Sequence, residues 1–102
     1  MKFTEKIKSL READGLTQRQ LSASLGIDVA LYNRFEKGER LMKRELVCKL
    51  ADIYGCNPND LIKYWLADKV YSILNDEDTA GQVIAMVAEE MPEYSKSSSV
   101  TV

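Results

Sequence analysis

The chain is expected to be all-α, with five helices forming one head, the fifth of them extended, and an additional C-terminal helix after it. Two observations lead there. Apolar residues recur at spacings of three and four, and β-branched residues nowhere alternate with polar ones over the length of a strand. Glycines and helix-capping residues interrupt that periodicity about once per short helix. The 102 residues, 45% hydrophobic and 29% charged, have the composition of a globular chain with room for one core.

The first helix is read over residues 3–13, with Phe3, Ile7 and Leu10 on one face, closing at Asp14-Gly15. The second opens at Thr17-Gln18-Arg19-Gln20, a capping box in which Thr17 accepts from the backbone amide three residues on and Gln20 reaches back. It runs to Leu25 and stops at Gly26. The third takes Asp28 as N-cap and continues to Lys37, turning Tyr32, Phe35 and Glu36 inward, before Gly38 ends it. Its outer face is then Val29, Ala30, Asn33, Arg34 and Lys37.

A fourth helix over 42–54 carries Leu46, Val47, Leu50 and Ala51 and ends at Gly55. Pro58 suits the first position of a fifth, where its missing amide is not needed, and the pattern holds to Leu74. Asn75-Asp76-Glu77-Asp78 breaks it. Thr79 and Gln82 are spaced as a second capping box, for a sixth helix ending before Pro92 with Ala80, Val83, Ile84, Val87 and Met91 in an amphipathic stripe. The organisation expected is a head over 1–75 with its helix-turn-helix at 17–37, a C-terminal helix over 76–92, and a flexible tail over 93–102.

Several functions find nothing to work with. No apolar run reaches the ~18 residues of a membrane span, and the first residues lack a signal peptide's apolar stretch, so a cytoplasmic protein is expected. There is no histidine, and the two cysteines, Cys48 and Cys56, are eight apart without a CxxC, which leaves no Cys/His zinc site and no histidine catalysis. The cysteines read as small buried hydrophobes, a disulfide or a redox sensor being the alternative. The acids Asp76, Glu77 and Asp78 read as a solvated turn rather than a metal site. With no phosphate-binding glycine loop and no nucleophile beside a base, no enzyme, cofactor or metal is expected.

Net charge is -2 but unevenly placed. Residues 1–49 carry eleven Lys/Arg against seven Asp/Glu, a balance of +4, and the remainder three against nine, a balance of -6. One end is thus able to approach a polyanion while the other turns away. Two short helices joined by a tight turn, the first capped and the second polar on its free face, fit a helix-turn-helix, an ordinary helical hairpin being the alternative. Ser22 is small where the helices approach, Gly26 permits the turn, and Leu21, Leu25, Ile27, Tyr32 and Phe35 fill the space between.

In order and spacing, Ile7-x-x-Leu10-Arg11, Gly15-Leu16-Thr17-Gln18-x-x-Leu21, Leu25-Gly26-Ile27, Phe35-Glu36-Lys37-Gly38, Leu50-Ala51 and Asp60-Leu61 resemble the Cro/cI family, also called the XRE family, of bacterial and phage transcriptional regulators. The resemblance implies a lambda-repressor-like five-helix DNA-binding domain. It further implies that Arg11 and Glu36 form a structural salt bridge, partly buried. It gives Gln18 the role of binding a DNA phosphate and bracing the recognition helix. Arg44 corresponds to a basic position that follows the DNA backbone, with Arg40 and Lys43 close enough to join it. Thr17, Arg19 and Lys37 complete the phosphate-contact candidates.

Departures from the family lie where bases would be read. In place of the usual Ser, Thr, Arg or Gln stand Asp28, Val29, Ala30 and Leu31. The expected base-reading set is therefore Val29 and Ala30 against thymine methyl groups, Asn33 on adenine and Arg34 on guanine. A protein-binding surface at Val29, Ala30 and Leu31 is the competing reading. Entry to the fourth helix, Leu41-Met42-Lys43, also lacks the common proline and hydroxyl cap, and Arg44 stands where leucine is frequent.

A single helix-turn-helix reads few base pairs, so a homodimer on double-stranded DNA is expected, with recognition helices ~34 Å apart. Trp65, Leu66, Val70, Ile73, Leu74, Val83, Ile84 and Val87 are the dimerisation candidates, the alternative being packing of the sixth helix on the fifth. The reading reached is a sequence-specific DNA-binding transcriptional regulator, expected to be a dimeric repressor that reads the major groove with the helix over 28–37. An antitoxin, a restriction-modification controller, or an interaction module without base reading (with a toxin or polymerase as protein partner) are the alternatives on the same fold.

Overall fold

The computed structural model describes residues 1–91, so the expected tail over 93–102 lies outside the described residues. The described residues form six helices: α1 (Lys2–Ala13), α2 (Gln18–Leu25), α3 (Val29–Lys37), α4 (Arg44–Tyr54), α5 (Pro58–Leu74) and α6 (Ala80–Glu90). No strand occurs among the described residues. The chain divides into a unit of Met1–Tyr71 and a second that begins at Ser72.

The first unit is organised around α3, against which α1 and α2 pack, while α2 also meets α4. Its core draws Phe3 and Ile7 from α1, Leu21 and Leu25 from α2, Tyr32 and Phe35 from α3, Val47, Leu50 and Ala51 from α4, and Leu61, Ile62 and Trp65 from α5. Each fully buried large apolar side chain of this kind contributes about 1.5–3 kcal/mol. Cys48 and Cys56 are free thiols, partly buried against that core.

α4 begins two residues later than the periodicity suggests. Met42 is only 1% exposed, yet it lies before the helix, and its carbonyl accepts from Trp65 Nε1 at 2.7 Å. Lys43 then takes an extended backbone (φ -74°, ψ 150°) as N-cap. Met42 continues the apolar pattern of the helix, whereas it plugs the core from a loop.

Trp65, 5% exposed, belongs to this core and so is withdrawn from the dimerisation candidates. One turn further along α5, Asp68 is 2% exposed, and its Oδ2 accepts from the Phe3 amide at 3.0 Å. The first turn of α1 has unpaired amides by construction, and Met1 supplies no side-chain cap. A carboxylate 65 residues away takes that place.

In the second unit, no residue of α6 is buried. The capping box expected at Thr79 and Gln82 does not form. Thr79 has a turn-like backbone (φ -95°, ψ 16°) and makes no side-chain cap bond. At the other box Thr17 is extended (φ -80°, ψ 162°), which aims its hydroxyl at the amide three residues on. Among the described residues no helix is long and apolar enough to cross a membrane.

Candidate nucleic-acid interface

Local chemistry places α2 and α3 relative to one another. At the start of α2, Thr17 Oγ1 accepts from the Gln20 amide at 3.0 Å, and Gln20 Oε1 accepts from the Thr17 amide at 2.8 Å. α2 ends at Gly26, whose φ of 74° is a conformation open to glycine at little cost. Two residues later Asp28 Oδ1 accepts from the Leu31 amide at 2.8 Å and starts α3. Ser22 is buried in the contact and bonds its hydroxyl to the Arg19 carbonyl at 3.0 Å. Lys49 of α4 donates to the Leu25 carbonyl at 3.2 Å, covering the C-terminal end of α2.

A hydrogen-bond chain crosses this scaffold from the core to the free face of α3. Arg11 Nε donates to Glu36 Oε2 at 2.7 Å and Nη2 to Oε1 at 3.2 Å, while Nη1 donates to the Leu16 carbonyl at 2.8 Å. The pair is well buried, with side-chain exposures of 12% and 4%. Gln18 Nε2 donates to Glu36 Oε1 at 3.0 Å, and Asn33 Nδ2 donates to Gln18 Oε1 at 3.0 Å. An ionised carboxylate only accepts. Glu36 therefore turns the Gln18 amide nitrogen toward itself and its oxygen toward Asn33, which leaves Asn33 Oδ1 unclaimed among the described residues.

Burial pushes the Glu36 carboxyl up, but bonds from Arg11 and Gln18, with the neighbouring Tyr32 hydroxyl, outweigh it and hold the group below its ordinary value. Hydrogen bonding to Glu36 holds the Arg11 guanidinium above its own. Burial pushes the Tyr32 phenol far up, with Glu36 adding to it. Burial likewise takes Tyr54 up to about 12, with Asp14 contributing. Both phenols stay protonated. Tyr32 faces Glu36 electrostatically without closing a well-formed hydrogen bond, and neither buried hydroxyl has a partner among the described residues.

Of the base-reading candidates, Ala30 and Arg34 are exposed, while Val29 and Asn33 are half-buried. Leu31 packs against the core, so the apolar surface envisaged at 29–31 shrinks to Ala30 and part of Val29. Of the phosphate-contact candidates, Thr17, Arg19, Lys37, Arg40, Lys43 and Arg44 are exposed, and Gln18 is half-buried with one amide hydrogen still available. Gln18 also sits at the positive end of α2, which favours an anion. The Arg44 guanidinium lies 5.3 Å from the centre of the Trp65 ring, and Lys69 Nζ 4.4 Å.

Among the dimerisation candidates of the first unit, Leu66 and Val70 are exposed. Among those of the second, Ile73, Ile84 and Val87 are exposed, whereas Leu74 and Val83 are half-buried. Among the described residues no cluster of three His, Cys, Asp or Glu side chains is able to hold a metal ion.

Sequence reasoning did not find Asp68, the Trp65–Met42 bond, the Asn33–Gln18 bond or Lys69. One signal was available: Leu61, Trp65 and Asp68 share a face of α5 at i, i+4 and i+7, and an acid on an apolar stripe needs a buried partner.

Residues 3–63 match the family described as "Helix-turn-helix domain". The chain is similar to the cryptic phage CTXphi transcriptional repressor RstR of Vibrio cholerae serotype O1 (strain ATCC 39315 / El Tor Inaba N16961), with 29% identity over 98 residues, covering 89% of this chain and 88% of the relative. A second protein of that name from Vibrio cholerae is 35% identical over 60 residues, covering 59% of this chain and 54% of the relative. No solved structure matches the chain.

Proposed function

The chain belongs to the helix-turn-helix domain family and is a DNA-binding transcriptional regulator, and on that premise we propose a homodimeric repressor that reads the major groove with α3. The observation that carries the reading is the bonded line from Arg11 through Glu36 and Gln18 to Asn33, which ties a groove-facing amide to the buried scaffold. Asn33 then suits adenine, whose N6–H and N7 require an acceptor and a donor side by side. Arg34 suits guanine, and Ala30 with the exposed part of Val29 suits thymine methyl groups.

Gln18, Thr17, Arg19 and Lys37 would lie along the phosphates on one side of the groove. Arg40, Lys43 and Arg44 would follow the backbone on the other. Repression rather than activation is supported by the likeness to a phage transcriptional repressor along most of the chain. Dimerisation is supported by the exposed apolar side chains of Leu66 and Val70 in the first unit, and of Ile73, Ile84 and Val87 in the second. Such a protein acts in the cytoplasm, with the DNA, through binding and without catalysis.

Selection of bound duplexes from random DNA, followed by anisotropy titrations across a range of salt, tests the reading. The selected duplex should bind at least ~10³-fold more tightly than a scrambled one, and affinity should fall steeply as salt rises. Absence of binding at low salt, or equal affinity for both duplexes, would refute base reading.

A further inference from the structure

The loop between α3 and α4 has little of its own to hold it. Backbone bonds from Gly38 and Glu39 close α3, the residues that follow are exposed up to Leu41, and Lys43 provides no side-chain cap for α4. Its fixed point is Met42, whose side chain is buried and whose carbonyl accepts from Trp65 Nε1 at 2.7 Å. Two residues on, the Arg44 guanidinium lies over the same indole. One buried side chain of α5 thus meets the loop backbone through its N–H and the first cation of α4 through its π face.

We propose that Trp65 is a positioning residue for DNA-backbone contact, its indole setting the 38–43 loop and the Arg44 guanidinium in the geometry that meets a phosphate. This rests on Arg44 being a phosphate contact, as in the function proposed above.

The chemistry is specific to tryptophan. A guanidinium held over an aromatic face keeps its charge and its N–H groups, so the contact narrows its positions without using up the donors a phosphate takes. Phenylalanine would supply a smaller face, and no donor for the Met42 carbonyl. Lys69 places a second cation over the same ring, strengthening the positive field at that edge. Because Trp65 is almost wholly enclosed, its part is played through Met42 and Arg44 and not by touching DNA or another copy of the chain.

The full chain and a duplex selected from random DNA provide the test, by anisotropy titration across salt for wild type, Arg44→Ala, Trp65→Phe and the double variant. Loss of one phosphate contact should flatten the dependence of log affinity on log salt by ~0.9 per bound subunit. Arg44→Ala and Trp65→Phe should each show that change, and the double variant should show no more than either. A purely structural Trp65 would lower the melting midpoint and leave the salt slope of the folded protein at its wild-type value, which overturns the proposal.

If Arg44→Ala itself keeps the wild-type slope, the phosphate reading of Arg44 is what fails, and Trp65 has nothing to position. Should Trp65→Phe not fold, emission of this residue, the one tryptophan in the chain, decides instead. Wild-type emission should change on saturation with duplex, and Arg44→Ala should alter the free emission and remove most of the DNA-induced change. Emission unaffected by either DNA or Arg44→Ala overturns the proposal.

Discussion

Asn33 donates its side-chain amide to Gln18 Oε1 at 3.0 Å, so a residue on the proposed reading face is oriented by one at the start of the preceding helix. Gln18→Ala should therefore do more than remove the proposed phosphate contact. With Asn33 released, its amide is free to turn over, and the base position it reads should broaden while overall affinity falls. Selection from random DNA with the variant checks this; an unchanged preference at every position would mean that Asn33 is aimed without Gln18.

Glu36 makes the same scaffold sensitive to acid. Its folded value lies below the ordinary 4.5, so the folded protein holds the proton less tightly than the unfolded chain does. The resulting stability is fully present above the unfolded value and is lost as pH falls through the lowered folded one. Melting midpoints should hold from neutral pH to about pH 5 and drop below about pH 4. In Glu36→Gln that particular drop should shrink, while the loss at neutral pH should be about 3 kcal/mol, because Arg11 is left largely buried without its counter-charge. Parallel melting curves for wild type and variant between pH 3 and pH 5 (roughly the carboxylate range) would assign the acid sensitivity elsewhere.

Arg34 is exposed on α3 and should behave as a base contact. Arg34→Ala is expected to relax one guanine position, with a loss of about 1–3 kcal/mol on the preferred duplex. Equal weakening on all duplexes, read by competition against scrambled DNA, would mark it as a phosphate contact instead.

Asp68 is expected to matter to stability although it lies on no DNA-facing surface. Asp68→Ala leaves the Phe3 amide without its acceptor and should cost about 1–3 kcal/mol. Asp68→Asn, which retains an oxygen acceptor, should cost less. Urea melts of the two variants test the order, and equal losses would show that the acceptor is immaterial.

Ile84→Glu/Val87→Glu changes two exposed side chains of α6, so it should not disturb folding. It should convert a dimer to a monomer in sedimentation velocity and weaken binding to a two-half-site duplex far more than to a single half-site. A variant that still sediments as a dimer would move the interface off this face of α6.

Features set by neighbours in sequence were the readable ones. The Thr17–Gln20 box, the Asp28 cap and the Gly26 stop each depend on a few adjacent residues, and all three form. Thr79 and Gln82 have the same spacing, yet the box fails because the backbone before α6 turns where it would have to extend. Trp65 does not declare its place in the sequence, because a large apolar side chain on a long helix looks alike whether it faces its own core or a partner. Met42 misleads for a related reason, since apolar character alone does not tell a helix from a loop that plugs a core. The Arg11–Glu36 pair was legible through family resemblance, its two members lying 25 residues apart. The Gln18–Asn33 link joins two helices across 15 residues, and no local pattern announces it.

The Asp68–Phe3 bond also bears on the order in which the protein is made. It closes α1 against a residue 65 positions later. A chain leaving the ribosome has α1 to α4 outside before α5 is complete, and through that interval the first turn of α1 lacks its acceptor and the core lacks Leu61 and Trp65. Since chain synthesis runs at ~5–20 residues per second, the DNA-binding head stays open for seconds after its recognition helix has emerged. The last-made helix of the head is thus the one that completes both the first turn of α1 and the core beneath α3.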